Sequence, residues 1–222
     1  MKVSIYRRRR FHSDVIKRVI WLYFRFNLSL REIEEMMAER GVDVSYETIR
    51  RWIDSFGSVF AKRIKSRSEY PSPRWHLDEV YTKINGKMVY LWRAVQSKRN
   101  KKAAKRLLRK LLKNSGVKPE RIVTDLLRSY SAALKDLNMQ SIHDVGGLKN
   151  NRAENSHLLI RRRERKAQRF RSIGSAQKQL SCYGQIYNLF NHQRHLITRQ
   201  TLKKFRNETQ TEWNIVTKAV MG

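Results

Sequence analysis

The chain holds 222 residues, 40% of them apolar, which is enough for one or two domains with a core. Against 49 Lys and Arg stand only 19 Asp and Glu, a net charge of +30 whose self-repulsion calls for a polyanionic partner, nucleic acid ahead of an acidic membrane surface. A single cysteine, Cys182, excludes an internal disulfide and a Cys-rich zinc site, no run of about 18 apolar residues spans a bilayer, and Arg7 to Arg10 lacks the apolar stretch of a secretory signal, so a cytoplasmic protein is expected.

Val15, Ile16, Val19, Ile20, Leu22, Tyr23 and Phe26 recur at helical spacing, predicting an amphipathic helix over 14–27. Ser29-Leu30-Arg31-Glu32 spells a capping box that opens a second helix, stopped at Gly41. Ser45 then caps a third helix carrying Ile49, Trp52, Ile53 and Phe56. Helix, short turn, helix is the helix-turn-helix pattern, whose last helix enters the major groove by its N-terminal side chains. Tyr46, Glu47, Thr48, Arg50 and Arg51 are the exposed candidates there, with Tyr46, Thr48, Arg50 and Arg51 taken as DNA-binding. A plain three-helix bundle is the competing reading, and the charge weighs against it. The polar, proline-marked stretch over 67–74 is read as a linker, which bounds an N-terminal domain at 11–66.

Trp75 to Ile84 is rich in aromatic and β-branched residues, and Asn85-Gly86 is a strong hairpin turn leading to a second strand over 88–95. Asp78 lies inside the first of these strands, between apolar neighbours, where a charge needs a cation or an arginine partner. Residues 100–114 form a basic amphipathic helix, and the segment 98–113 carries nine positive charges and no negative one, a pattern suited to phosphate contact. Ile122-Val123-Thr124 is a short buried strand that sets Asp125 at its C-terminal end, where α/β folds place ligands; an ordinary helix N-cap is the equally open alternative. Residues 141–145 offer one more strand.

A helix is predicted from about Asn151 to Phe170, with Glu154, His157, Leu158, Arg161 and Arg165 on one face. Glu154 can serve there as a metal ligand beside a phosphate-holding arginine, or as a surface residue paired with Arg161. A further helix covers 176–190, His192 and His195 lack a third ligand nearby, 198–205 is basic and helical, and the remainder over 206–222 is read as a loose tail.

Asp78, Asp125 and Glu154, with Arg161 seven residues after the glutamate, resemble the acidic triad of the DDE transposases of prokaryotic insertion sequences. The wording around them is similar to the insertion-sequence-six family: Trp75-His76-Leu77-Asp78-Glu79, Tyr90-Leu91-Trp92-Arg93-Ala94-Val95, Asn150 to His157, Arg161-Arg162-Arg163-Glu164-Arg165, and Asn191 to Leu196. The likeness runs from about Phe11 to Phe205. It implies an α+β chain, with an N-terminal helix-turn-helix bundle and a ribonuclease-H-like catalytic domain over 75–205 in which helices flank a mixed sheet. It also implies binding to the terminal inverted repeats of an element, action on double-stranded DNA at element ends and target, and a homodimer or larger assembly associated with the nucleoid. Metal-dependent strand cleavage and strand transfer follow as the expected activity.

The residue chemistry agrees with that expectation. Three carboxylates suit two Mg²⁺ ions, with Mn²⁺ able to substitute, because hard cations want oxygen ligands and a pair of them clamps an in-line displacement at phosphorus. Asp78, Asp125 and Glu154 are the expected metal ligands and, with Arg161, the catalytic set; Arg162 and Arg165 join the DNA-binding residues. Two departures from the family pattern predict a weakened catalytic domain. The chain passes from Val95 directly to Gln96-Ser97-Lys98 without a third hairpin strand, and Leu126 follows Asp125 where the family commonly has lysine. The alternative expectation is therefore a decayed copy that only binds DNA at element ends.

Overall fold

The computed structural model describes residues 4–67, 73–77, 80–84, 87–91, 95–96, 100–125, 127–146, 151–166, 170, 172–192 and 196–219. Within these, 80–83, 87–91, 95–96, 114, 151–157 and 159 are described by their backbone alone. The described residues form a helix-rich α+β protein with a small parallel sheet. The chain divides into two compact units, one built from 1–68 and 178–222, the other from 69–177.

The first unit begins with α1 (Ser13–Phe26), α2 (Leu30–Ala38) and α3 (Tyr46–Arg67). Asn27 ends α1 in the left-handed conformation at φ 55°. The capping box is formed as the sequence predicts: the Ser29 N–H donates to Glu32 Oε2 at 2.6 Å and the Glu32 N–H to Ser29 Oγ at 3.2 Å. Replacing Ser29 by Ala is expected to cost about 1 kcal/mol; an unchanged urea midpoint would show that the box contributes nothing. Gly41 sits at φ +71°, a conformation that disfavours any Cβ, and turns the chain toward α3. The carboxylate of Glu34 on α2 accepts the Tyr46 N–H at 2.8 Å, which ties α2 to the first turn of α3.

α3 is longer than the sequence reading, because Phe60, Ala61 and Ile64 continue its buried stripe past Phe56. The unit is completed by residues 178–190 of α7 (Ile173–Phe190) and by α8 (Arg199–Val216). Two expected boundaries are thereby corrected. The catalytic domain drawn to 205 loses its last stretch to the N-terminal unit, since Gln179 Nε2 donates to the Tyr23 hydroxyl at 2.7 Å, and a Cβ on Gly57 of α3 would lie 3.3 Å from Phe24 Cζ and 3.9 Å from Cys182 Sγ. The tail drawn over 206–222 is mostly α8, which buries Thr209, Trp213 and Val216. Trp213 sets its ring against Phe60 and Phe190, with centroids 5.5 Å apart in both pairs. Arg67 grips Glu212 at 2.5 and 3.2 Å, Arg63 donates to the carbonyls of Val216 and Lys218 at the end of α8, and the Tyr6 hydroxyl donates to the Thr217 carbonyl at 2.7 Å.

Burial in this core pushes the Cys182 thiol up to about 11. It should resist a disulfide reagent at pH 8 in the folded protein and react once urea unfolds it, because the thiolate is the reactive form. Fast labelling of the folded chain would contradict the burial.

In the second unit, β1 (Arg74–Leu77), β5 (Arg121–Thr124) and β6 (His143–Val145) make a parallel sheet in the order β1-β5-β6. β2 (Val80–Ile84), β3 (Lys87–Leu91) and β4 (Val95–Gln96) make an antiparallel one. The expected absence of a strand after the hairpin is corrected: β4 pairs back on β3, Leu91 opposite Val95 and Tyr90 opposite Gln96, so the third strand is present but only 2 residues long. The basic helix α4 (Lys101–Ser115) and α5 (Arg128–Lys135) share a core of Ala103, Ala104, Leu107, Leu108, Tyr130, Ala133 and Leu134 with Ile122 of β5. Asn100 caps α4 through the Ala103 N–H at 2.9 Å, and Gly116 stops it at φ 66°. The last element of this unit before α7 is α6 (Asn151–Lys166).

Candidate active site and nucleic-acid interface

β1 and β5 run parallel, with Leu77 directly opposite Thr124. These are the residues immediately before Asp78 and Asp125 in the chain. Asp78 itself lies outside the described residues. α6, which carries Glu154, packs near β1; the Glu154 side chain is likewise outside the described set. Two of the three predicted acids thus directly follow paired strands in the sequence, and the third belongs to a helix that packs near one of those strands.

Asp125 leaves the C-terminal end of β5 half-buried, and its Oδ1 accepts the Leu127 N–H at 3.2 Å. The N-cap position of α5 belongs to Leu127, which has no side-chain capping bond. Asp125 stands two residues ahead of that cap, so the N-cap alternative does not describe its place. The preceding residue explains how the strand end is held. Thr124 is fully buried; its hydroxyl donates to the Asp125 carbonyl at 2.9 Å and lies 2.8 Å from Nε2 of His143 on β6. With the hydroxyl hydrogen directed to Asp125, His143 donates from Nε2. Burial holds the His143 imidazole below the usual histidine range, against the opposing pull of Asp144, so the ring is neutral at pH 7. Asp144 in turn meets Arg121 at 3.2 Å across the β5–β6 pair. His143 was not legible as part of this site; its only trace in the sequence is a histidine opening a short strand.

On α6, Arg161, Arg162 and Arg165 are exposed, while Arg163 is buried at 4% exposure. His192 is not a metal ligand candidate in its observed setting: its Nε2 lies 3.1 Å from the Thr209 hydroxyl and its ring packs on Phe205. Among the described residues no three His, Cys, Asp or Glu side chains converge, a set that omits Asp78 and the Glu154 side chain.

The start of α3 gathers the second group of predicted residues. Tyr46 is 38% exposed and lies beneath two guanidinium groups, Arg31 at 5.7 Å and Arg50 at 5.8 Å from its ring centroid. Arg50 also pairs with Glu47 at 3.1 Å, which aims it along the helix surface. Arg51 is exposed. Thr48 is the exception: its hydroxyl lies 3.0 Å from Ser45 Oγ, and its N–H donates to the same oxygen at 3.3 Å, so it helps cap the helix. Arg31, on α2, was missed by the sequence reading because its stacking on Tyr46 is a tertiary contact.

A family model described as a DDE domain matches residues 72–193. Over 208 residues the chain is 29% identical to a protein of Staphylococcus aureus named transposase for insertion sequence-like element IS431mec, an alignment that covers 86% of this chain and 91% of that one. The same figures hold for the transposase for insertion sequence element IS257 in transposon Tn4003 of Staphylococcus aureus. An uncharacterized protein of Yersinia pseudotuberculosis, pYV0051, is 36% identical over 76 residues, covering 28% of this chain and 71% of that one. No solved structure matches the chain.

Proposed function

The chain belongs to the DDE-domain transposases of the insertion-sequence-six family, and from that premise we propose that it binds the terminal inverted repeats of its element and catalyses metal-dependent cleavage and transfer of DNA strands. One observation carries the catalytic half: the register that sets Leu77 opposite Thr124, with α6 packed near the same strand. In this reading Asp78 and Asp125 continue the chain from those paired strand ends and Glu154 joins them from α6, as in a ribonuclease-H-like fold.

The donor set fits divalent magnesium or manganese. It is all carboxylate, and it includes a half-buried Asp125 fixed by the Leu127 N–H. Asp78, Asp125 and Glu154 would hold the ions. Bound there, two divalent ions supply charge stabilisation at the attacking and leaving oxygens of an in-line displacement at phosphorus. The protein's own part is positional. Thr124 and His143 fix the backbone carbonyl of Asp125 and with it the direction in which the carboxylate leaves the sheet. Arg161 holds the scissile phosphate or the strand beside it, and Arg162 and Arg165 grip the flanking backbone. Water attacks in the nicking step and the freed 3′-hydroxyl in the joining step, so no covalent enzyme intermediate is needed.

The helices α2 and α3 act as the helix-turn-helix of end recognition. Arg50, Arg51 and Tyr46 face the DNA from the first turns of α3, with Thr48 buttressing the cap. A homodimer or larger assembly on paired ends, working at the nucleoid, completes the reading. The competing reading, a copy that occupies ends without cutting them, rests on the 2-residue length of β4. One assay separates the two: purified protein, labelled inverted-repeat ends, and Mg²⁺ or Mn²⁺. Cleavage yielding a 3′-hydroxyl terminus at the element boundary is expected. Stable end binding with no cleavage in either metal would reject the catalytic proposal.

A further inference from the structure

α4 buries Ala103, Ala104, Leu107 and Leu108 against the core it shares with α5, and its opposite face is pure cation. At 100° per residue, Lys102, Arg106, Arg109 and Lys113 fall within one narrow stripe on that outer face, and all four are exposed. Along the axis the stripe spans about 16 Å. Its members make no hydrogen bond or ion pair among the described residues. The carboxylate available to this helix, Asp136, engages Lys101 and Lys105 at 3.0 Å each, on the flank of the stripe. Like charges also stand four residues apart along it, Lys102 with Arg106 and Arg109 with Lys113, an arrangement that opposes the helix unless an anion lies over it.

We infer that the outer face of α4 is a track for the sugar-phosphate backbone of duplex DNA that carries no recognition sequence. This rests on the chain being a transposase, which must hold a target duplex as well as its own ends. Duplex DNA presents one negative charge per about 1.7 Å of axis, so a straight row of four cations meets several phosphates at once. The stripe offers no Asn, Gln, Ser or Thr, and cations directed at phosphate carry no sequence information. It therefore differs from the start of α3, where Tyr46, Thr48 and two arginines stand together. The apolar underside of α4 is anchored in the core, so the backbone that presents the row is already ordered and only the four side chains lose freedom on binding.

The test is a full-length variant combining Lys102→Gln, Arg106→Gln, Arg109→Gln and Lys113→Gln, compared with one combining Arg199→Gln, Lys203→Gln, Lys204→Gln and Arg206→Gln, four exposed cations of α8. Both remove four charges; only the first removes the stripe. Binding to a random-sequence duplex is measured across a sodium chloride series. At a slope of about 0.9 per neutralised phosphate, the α4 variant should flatten log K against log salt by about 3 to 4, and the α8 variant should not. A flattening of less than 2, or an equal flattening in both variants, overturns the proposal. Joining of pre-cleaved ends to an unrelated duplex should fall at least about tenfold in the α4 variant, while cleavage at the ends persists. The salt series reads the stripe even if the wild-type protein cuts nothing, so failure of the catalytic reading and failure of this one give different results.

Discussion

Asp125→Asn should lower strand cleavage by about 10³-fold while leaving folding and end binding unchanged. The substitution is nearly isosteric, and an amide oxygen still accepts the Leu127 N–H that Asp125 Oδ1 now accepts at 3.2 Å. The turn from β5 into α5 is thus kept, together with the Thr124–His143 contact behind it. What disappears is one negative charge from the proposed three-carboxylate set. Divalent ions contribute several kcal/mol of transition-state stabilisation in displacements of this class, and a loss of about 4 kcal/mol corresponds to about 10³ in rate. Three measurements check it side by side: initial cleavage rates on labelled ends, a mobility shift on the same ends without metal, and the thermal midpoint. A cleavage rate within tenfold of wild type would remove Asp125 from the catalytic set. A lowered midpoint would instead assign it a structural role.

The position of Asp125 was legible because Ile122-Val123-Thr124 is a short β-branched run that can hardly be anything but a buried strand, and the residue after such a run stands at its end. The same holds for α4, whose apolar stripe, Asn100 cap and Gly116 stop are all local features. What holds Asp125 in place was not legible. Thr124 and His143 lie 19 residues apart, and only the parallel pairing of β5 with β6 brings hydroxyl and imidazole to 2.8 Å. The contact between Glu34 and the Tyr46 N–H has the same character: it depends on how two helices cross, which periodicity does not report. Likewise, the run from Arg161 to Arg165 showed a block of charge but not that Arg163 turns inward while its neighbours stay in solvent.

Two of the overturned expectations have a common cause. A short strand was judged missing and a helix was judged a tail because neither carries a strong local pattern to announce it. Val95 and Gln96 are too few to show alternation, and they become a strand only through the edge that β3 offers them. In α8 the buried residues Thr209, Trp213 and Val216 recur at i, i+4 and i+7, a valid helical stripe, but Asn, Gln, Thr and Glu surround them. Their partners lie far back in the chain, so the segment is apolar enough only for a core that other helices have largely built.

That dependence leads to the largest stability effect expected in the protein. Trp213→Ala should destabilise the first unit by about 3–5 kcal/mol, the usual cost of emptying a large aromatic site in a packed interior. Trp213 is only 2% exposed, and it presents an edge to Phe60 at 82° and to Phe190 at 66°, so it joins α3, α7 and α8 at one point. No local collapse can refill that space, since Phe60 is fixed in turn by Phe56 at 6.0 Å. Natural domains carry about 5–15 kcal/mol in all, so the variant should unfold in much less urea, and end binding should fail with it at 37 °C. Phe205→Ala on the same helix, at a side chain 37% exposed, should change stability far less. Urea melts followed by far-ultraviolet circular dichroism measure both. Equal midpoints for the Trp213 and Phe205 variants would mean that α8 does not complete this core, and α1 to α3 would then have to stand without it.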